Sequence, residues 1–146
     1  MLLKRYATRK KNSARKYILM AADIGILFLC IVLTVFVFFL LEQPVMQMNH
    51  LLPYFAINIL LSFLTLTVSG AYDVFWRYFN MRDYITCSLG VVIGQVLSSL
   101  VMLLLRWHIP FGFLILNVVL AVGGIVAFRL IFRHTFLILT DAGRVE

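Results

Sequence analysis

The sequence predicts an all-α integral membrane protein whose four transmembrane helices form two antiparallel hairpins. Of its 146 residues, 63% are hydrophobic and 13% are charged, with a mean hydropathy of +1.01. A soluble domain has about 45–50% apolar and about 25% charged residues. Four stretches are also long enough to cross a hydrocarbon core of about 30 Å, which takes about 20 apolar residues. A soluble globular protein and a disordered chain are therefore excluded.

The four predicted helices follow these stretches in chain order. They cover residues 17–41, 51–71, 84–105 and 110–132, within a transmembrane domain of residues 17–132. The first stretch exceeds the about 7–15 apolar residues of a signal peptide. Glu42, Gln43 and Pro44 stand where a small-residue cleavage site would be, so we expect a retained helix. Short loops after the first and third helices predict the hairpins.

The Lys and Arg residues predict the orientation of the helices. Of 13 such residues, seven precede the first helix, in a basic amino terminus at residues 1–16. Arg77 and Arg82 lie between the second and third helices, three more follow towards the carboxyl end, and only Arg106 falls on the opposite side. Because cytoplasmic loops carry the excess of basic residues, we expect both termini to be cytoplasmic.

The basic residues also bear on partners. The net charge of +7 at pH 7 lies mainly on one face of the membrane, and each Lys or Arg near anionic lipid headgroups contributes about 1 kcal/mol of attraction. Nucleic-acid binding would need aromatic residues interleaved with the basic run, and only Tyr6 and Tyr17 are there. We expect a lipid bilayer with anionic headgroups as partner, and no nucleic acid.

Asp23 lies inside the first predicted helix, where a carboxylate is costly unless it has a partner or a function. Arg129 lies at a similar depth in the fourth helix, so we expect an intramembrane ion pair between the two. Snorkelling of Asp23 towards water and a role in a proton relay are the alternatives.

Small residues recur at intervals of four on two predicted helices. They are Gly90, Gly94 and Ser98 on the third helix, and Gly123 and Ala127 on the fourth. This spacing lets helix backbones approach closely, and we expect it to pack helices three and four together. A homo-oligomer formed through Gly90 and Gly94 is the alternative.

Other polar residues show no pattern typical of a catalytic, cofactor or metal site. The sequence has no HExxH, P-loop or GxGxxG motif. Cys30 and Cys87 lie in apolar runs without metal-ligand spacing, as buried free cysteines do. His50, His108 and His134 lie at helix ends on different sides of the membrane.

Several amides and hydroxyls inside the predicted helices are expected to hydrogen-bond across helices. They are Asn58, Thr65, Thr67 and Ser69 on the second helix and Asn117 on the fourth. They do not form a converging cluster of acids, so no solute pathway is predicted.

The segment between the second and third helices, residues 72–83, is the most distinctive part of the sequence. Its apolar residues recur with helical spacing, which predicts a short amphipathic piece in the membrane interface. Asn80 is expected to cap the third helix, with Asp83 in its first turn. The residues that define this interfacial connector are Tyr72, Trp76, Arg77, Tyr78, Arg82 and Asp83.

Three short runs in and around the connector resemble a known family. They are Gly70-Ala71-Tyr72, Trp76-Arg77-Tyr78 and Met81-Arg82-Asp83-Tyr84, supported by the basic amino terminus, Asp23 and the run at 128–133. Together they resemble the amino-terminal membrane domain of membrane-bound nucleotide-sugar 4,6-dehydratases and epimerases of bacterial polysaccharide biosynthesis.

The resemblance implies a multi-pass protein of the bacterial inner membrane. In that family, four membrane helices precede a cytoplasmic Rossmann-type domain that binds NAD(P) and acts on a UDP-linked sugar. Residues 133–146 would then be a cytoplasmic linker to a domain absent from this chain. We expect the chain itself to be no enzyme, to hold no cofactor, and to have other polysaccharide-assembly membrane enzymes as partners.

Three other functions are consistent with the residues. A small four-helix transporter or lipid-linked-sugar translocase would use Asp23 as its coupling acid. A purely structural subunit would pack on another membrane protein through Gly90 and Gly94. The membrane domain of a glycosyl-1-phosphate transferase, a related family, also begins with four such helices.

Overall fold

A computed structural model describes residues 2–44, 47–72 and 80–143, and over these residues the chain is all-α. The helices are α1 (Leu2–Leu40), α2 (Met48–Val68), α3 (Met81–Leu104) and α4 (Phe111–Ala142). Each contains a stretch long and apolar enough to span a membrane: Lys16–Leu40, Asn49–Val68, Met81–Leu104 and Phe111–Leu139. The predicted fold class, an all-α membrane protein with four spanning helices, is confirmed.

The four helices are antiparallel to their neighbours and pack in the ring α1–α2–α3–α4. At one end, here called the loop end, the rings of Phe38 on α1 and Phe113 on α4 meet at 5.4 Å. There, too, His50 on α2 stacks on Trp107, with ring centroids 4.4 Å apart. The opposite end, the terminal end, is where α1 begins and α4 finishes.

Two helices extend further than the hydrophobic stretches predict. α1 begins at Leu2 rather than at 17, and α4 continues from 132 to Ala142. Residues 2–16 and 133–142 contain neither Gly nor Pro, the two residues that most disfavour a helix interior. At about 1.5 Å per residue, α1 is about 58 Å long and α4 about 48 Å. Both exceed the about 30 Å of a hydrocarbon core.

Both α2 and α3 begin three residues earlier than predicted. α2 covers Met48–Val68 rather than 51–71, and α3 begins at Met81 rather than 84. The carboxyl end of α2 is set by Gly70, which has a φ of 73°. A residue in this left-handed conformation stops the helix, and glycine adopts it without steric cost.

The same type of helix end closes α1 and α3 at the loop end. Glu42 has a φ of 53° and Arg106 a φ of 57°. The N–H of the following residue donates back to a carbonyl of the last turn, from Gln43 to Phe38 (3.1 Å) and from Trp107 to Met102 (3.1 Å). These are Schellman motifs with a non-glycine residue in the left-handed position, which costs about 1–2 kcal/mol for an L-residue.

The amino end of α3 has the predicted capping arrangement. Asn80 is the N-cap residue, and its backbone N–H donates to Oδ2 of Asp83 at 2.8 Å. The carboxylate thus lies in the first turn, at the positive end of the helix dipole.

The small residues of α3 pack against α2, so the expectation that they pair helices three and four is wrong. A Cβ built on Gly94 would lie 2.6 Å from the Cα of Ser62, and one on Gly90 would lie 3.0 Å from Oγ of Ser69. Ser98 accepts a hydrogen bond from Asn58 of α2 at 3.1 Å. The small-residue face of α3 is therefore turned towards α2.

The small residues predicted on α4 also lie elsewhere than expected. Gly123 and Ala127 are exposed on the outer surface of the bundle, and a Cβ on Gly123 meets nothing within 4 Å. The neighbouring Gly124 makes the close contact instead, since its Cβ would lie 3.1 Å from both Ile26 and Cys30 of α1. One position along a helix rotates a residue by about 100°, which moves it off the interface.

Gly94→Ala should lower the stability of the bundle, whereas Gly123→Ala should not. The new methyl of the first variant would collide with the backbone of α2, and such overpacking costs about 1–3 kcal/mol. We expect a fall of several degrees in the thermal unfolding temperature in detergent. Gly123→Ala is the matched control, and it should leave stability unchanged or raise it by up to about 1 kcal/mol, because alanine is the better helix former. Equal unfolding temperatures for the two variants would contradict the α2–α3 contact.

Candidate functional site

The candidate site begins with the charged pair inside the bundle. Asp23 of α1 is fully buried and Arg129 of α4 is 3% exposed, and the Nη2 of the arginine lies 2.8 Å from Oδ2 of the carboxylate. The structure therefore brings the two predicted partners together. Burying either charge alone would be costly, and only a close partner of opposite sign offsets the loss of hydration.

The arginine also binds the backbone that follows α2. Its Nη1 donates to the carbonyl oxygen of Ala71 at 3.2 Å, and its guanidinium carbon lies 5.6 Å from the centre of the Tyr72 ring. This distance is within the range of a cation–π interaction. Arg129 thus contacts α1 and the first residues of the connector from its position on α4.

Tyr72 completes this group, which we call the ion-pair site: Asp23, Ala71, Tyr72 and Arg129. The ring of Tyr72 also packs against Phe63, with centroids 6.0 Å apart. Burial raises the pKa of the Tyr72 phenol, and the adjacent Asp23 carboxylate acts in the same direction. The phenol therefore stays neutral beside the carboxylate.

A second group of polar side chains lies deeper in the bundle and draws on all four helices. It consists of Thr34 from α1, Tyr54, Asn58 and Ser62 from α2, Gln95 and Ser98 from α3, and Asn117 from α4. All are buried, with at most 2% of any side chain exposed. We call this group the polar core.

Gln95 is the centre of the polar core. Its Oε1 accepts from the amides of Asn58 at 2.7 Å and Asn117 at 2.9 Å, and its Nε2 donates to Oδ1 of Asn58 at 2.9 Å. The hydroxyl of Tyr54 accepts from both asparagines at 3.2 Å. One glutamine therefore joins α2, α3 and α4, and its partner Asn117 reaches Thr34 of α1 at 3.5 Å.

An apolar layer separates the polar core from the ion-pair site. It contains Leu27 of α1, Leu66 of α2, Val91 of α3 and Ala121 and Ile125 of α4, each at most 1% exposed. On α1 and α4 these residues lie between the members of the two polar groups, and Leu66 lies between Ser62 of α2 and Ala71. The side chains of the bundle interior therefore form no continuous polar path among the described residues.

Four members of this core are not among the residues predicted from the sequence: Thr34, Tyr54, Ser62 and Gln95. The signal was present on α2, where Tyr54, Asn58 and Ser62 recur at intervals of four and so share one helix face. A polar side chain in the middle of a span, as at Gln95, also calls for a partner on another helix.

Three residues predicted to bond across helices bond to their own helix instead. Thr65 donates to the carbonyl of Leu61 at 3.0 Å, Thr67 to that of Phe63 at 2.8 Å, and Ser69 to that of Leu66 at 3.0 Å. Ser and Thr hydroxyls satisfy themselves in this way when no partner faces them. Asn58 and Asn117 do bond across helices.

The predicted connector residues fall into two groups. Tyr72 lies in the ion-pair site, Arg82 is exposed in the first turn of α3, and Asp83 takes part in the cap. Trp76, Arg77 and Tyr78 lie outside the described residues. Across the parts of the chain that the structure describes, no group of three or more His, Cys, Asp or Glu side chains could hold a metal ion.

A charge swap should test the ion pair. Asp23→Arg places two cations in one buried site and should cost about 3–5 kcal/mol, the usual cost of an uncompensated buried charge. Adding Arg129→Asp restores opposite charges and should recover most of that loss. It should not recover all of it, because the carbonyl of Ala71 loses its donor. Thermal unfolding in detergent measures both steps, and an absence of rescue would disprove the pairing.

Gln95→Leu should destabilise the bundle by about 1–2 kcal/mol, because Asn58 and Asn117 lose their shared partner in a low-dielectric interior. Ser99→Ala is a matched control on the same helix, since Ser99 bonds only to the carbonyl of Gln95 within α3 among the contacts described. Its unfolding temperature should stay near that of the unmodified protein. Equal effects of the two variants would show that Gln95 does not link the helices.

The chain is thus a multi-pass membrane protein with four candidate spans and a closed, internally bonded interior. No protein-family model, curated protein or solved structure matches it.

Proposed function

We propose that this bundle is the membrane anchor of a nucleotide-sugar-modifying enzyme, a UDP-sugar dehydratase or epimerase of bacterial polysaccharide or glycan biosynthesis. The resemblance of the connector around Tyr72, Arg82 and Asp83 supports the family. The chain would act in the bacterial inner membrane with both termini in the cytoplasm, as its basic residues favour. It would not itself be an enzyme.

The closed interior is the observation that carries this proposal. Polar side chains inside a membrane protein usually mark a substrate or ion pathway, or else hold helices together. Here Gln95 bonds to neighbouring amides, and Asp23 is neutralised by Arg129. An apolar layer lies between the two groups. This arrangement suits a bundle that holds itself together better than one that conducts a solute.

The long helices at the terminal end also support an anchor. α4 continues to Ala142, which lies about 48 Å along the helix from Phe111. A domain attached there would be held near the membrane surface and near the membrane enzymes that consume its product. Such tethering raises the effective concentration without any new contact. Anionic headgroups would attract the basic residues at the same end.

Cofactor binding would belong to the attached domain. The resemblance implies NAD(P), and we assign no residue of this chain to it. Other polysaccharide-assembly enzymes and a homo-oligomer would be the protein partners of the anchor.

A proton-coupled transporter is the second candidate, because Asp23 is a buried acid inside a span. Transporter coupling sites lie near the midplane between repeats, whereas Asp23 lies towards the terminal end, beside the first residues of the connector. Proton-coupled uptake into reconstituted vesicles that disappears in Asp23→Asn would favour the transporter over the anchor. We expect no such uptake.

The anchor proposal predicts the coding sequence that follows the codon for Glu146. The open frame should continue into a strand and a GxGxxG loop, the phosphate-binding turn of a dinucleotide-binding domain. The intact mass of the native protein should then exceed 16.8 kDa. A stop codon directly after Glu146, together with a native mass of 16.8 kDa, would overturn the proposal.

A further inference from the structure

Two residues shortly after α2, Ala71 and Tyr72, are buried although they lie outside a helix. Ala71 is 4% exposed and Tyr72 is 6% exposed. The left-handed Gly70 turns the chain back over the end of α2, and the N–H of Ala71 donates to the carbonyl of Leu66 at 3.2 Å. The start of the connector is thereby folded onto the bundle rather than leaving it.

A single guanidinium joins this start of the connector to the two helices that carry the chain termini. Arg129 belongs to α4, its Nη2 binds Asp23 of α1 at 2.8 Å, and its Nη1 binds the carbonyl of Ala71 at 3.2 Å. The same group lies under the ring of Tyr72 at 5.6 Å. Two nitrogens of one planar group thus fix three separate segments in one geometry, as only an arginine fork can do.

We infer that Arg129 is a positioning residue for Ala71 and Tyr72, and that the ion pair with Asp23 serves to hold its guanidinium in place for the carbonyl of Ala71. Ala71 and Tyr72 would then keep a fixed relation to α4 at the terminal end of the bundle. The inference concerns this chain alone and does not depend on the proposed anchor function.

A variant can therefore keep the bundle stable and still release Ala71 from Arg129. An apolar pair can replace a buried ion pair with little or no loss of stability. The double variant Asp23→Leu/Arg129→Met should therefore keep α1 and α4 packed, while the carbonyl of Ala71 loses its donor. A purely structural ion pair predicts no change at the connector in this variant.

Limited chymotrypsin digestion of the chain, followed by mass spectrometry, measures how often the segment of Ala71 and Tyr72 opens. Tyr72 is a buried cleavage site within it, and cleavage at the exposed Tyr17 in the same sample serves as the internal reference. Digestion of a transiently opened segment tracks the population of the open form. Losing one hydrogen bond to a charged group should raise that population, and the relative cleavage rate, about tenfold or more.

Two controls keep the experiment decisive. Arg133→Met removes an arginine one turn further along α4 and should leave cleavage at Tyr72 unchanged. Thermal unfolding of the double variant should stay within a few degrees of the unmodified protein. The inference is overturned if the double variant stays folded with unchanged cleavage at Tyr72, or if cleavage at Tyr17 rises as much as cleavage at Tyr72. The single variant Arg129→Lys is a milder test, because a lysine keeps the positive charge but has no second nitrogen to bind the carbonyl of Ala71. Cleavage at Tyr72 should rise in this variant. Unchanged cleavage would count against the inference.

Discussion

Hydrogen bonding to Gln95 is the interaction on which the packing of the helices depends. A bilayer offers no gain from moving an apolar side chain out of lipid into the bundle, so packing and interhelical hydrogen bonds must hold the helices together. Gln95 supplies such bonds to Asn58 and Asn117, on the two helices that flank α3. Each of these hydrogen bonds requires a short donor–acceptor distance. The glutamine therefore also limits how far α2 and α4 can slide or rotate against α3. The close approach of Gly94, the residue before Gln95, to Ser62 depends on that register.

The charged side chains of the ion-pair site also need partners inside the bundle, and leaving them without partners costs more free energy than for an amide. Removing water from an isolated carboxylate or guanidinium costs several kcal/mol even after relaxation. Asp23 and Arg129 offset each other, and the carbonyl of Ala71 and the ring of Tyr72 occupy further faces of the guanidinium. This group lies at the terminal end, and an apolar layer separates it from the polar core.

The sequence was sufficient for features that depend on composition and depth. The four spans follow from hydrophobic length, and the pairing of Asp23 with Arg129 follows from two opposite charges at similar depth. Rotation about the helix axis could not be read in the same way. Gly123 and Gly124 differ by one position, and the sequence pattern selected Gly123 because Ala127 follows four residues later. Only the contact with Ile26 and Cys30 identifies Gly124 as the interface residue.

The positions of the helix ends could not be predicted from the sequence either. The spans give no information on residues 2–16 or 133–142, because apolar length defines the part of a helix inside the membrane and not the helix itself. The partners of Gln95 were equally hidden. A single amide in an apolar run indicates that a hydrogen-bond partner lies on another helix. The sequence does not indicate which residue that is, because it depends on how the antiparallel helices are aligned.

The length of α2 has a consequence for the membranes that suit this protein. Its 21 residues span about 32 Å, and the helix cannot lengthen, because Gly70 and the buried start of the connector fix its carboxyl end. α1 and α4 continue as helix well beyond the length of a hydrocarbon core, whereas α2 does not. Hydrophobic mismatch costs fractions of a kcal/mol per Å and sorts proteins among bilayers of different thickness. α2 therefore sets the bilayer thickness that the bundle matches without strain. A markedly thicker bilayer must thin locally beside α2.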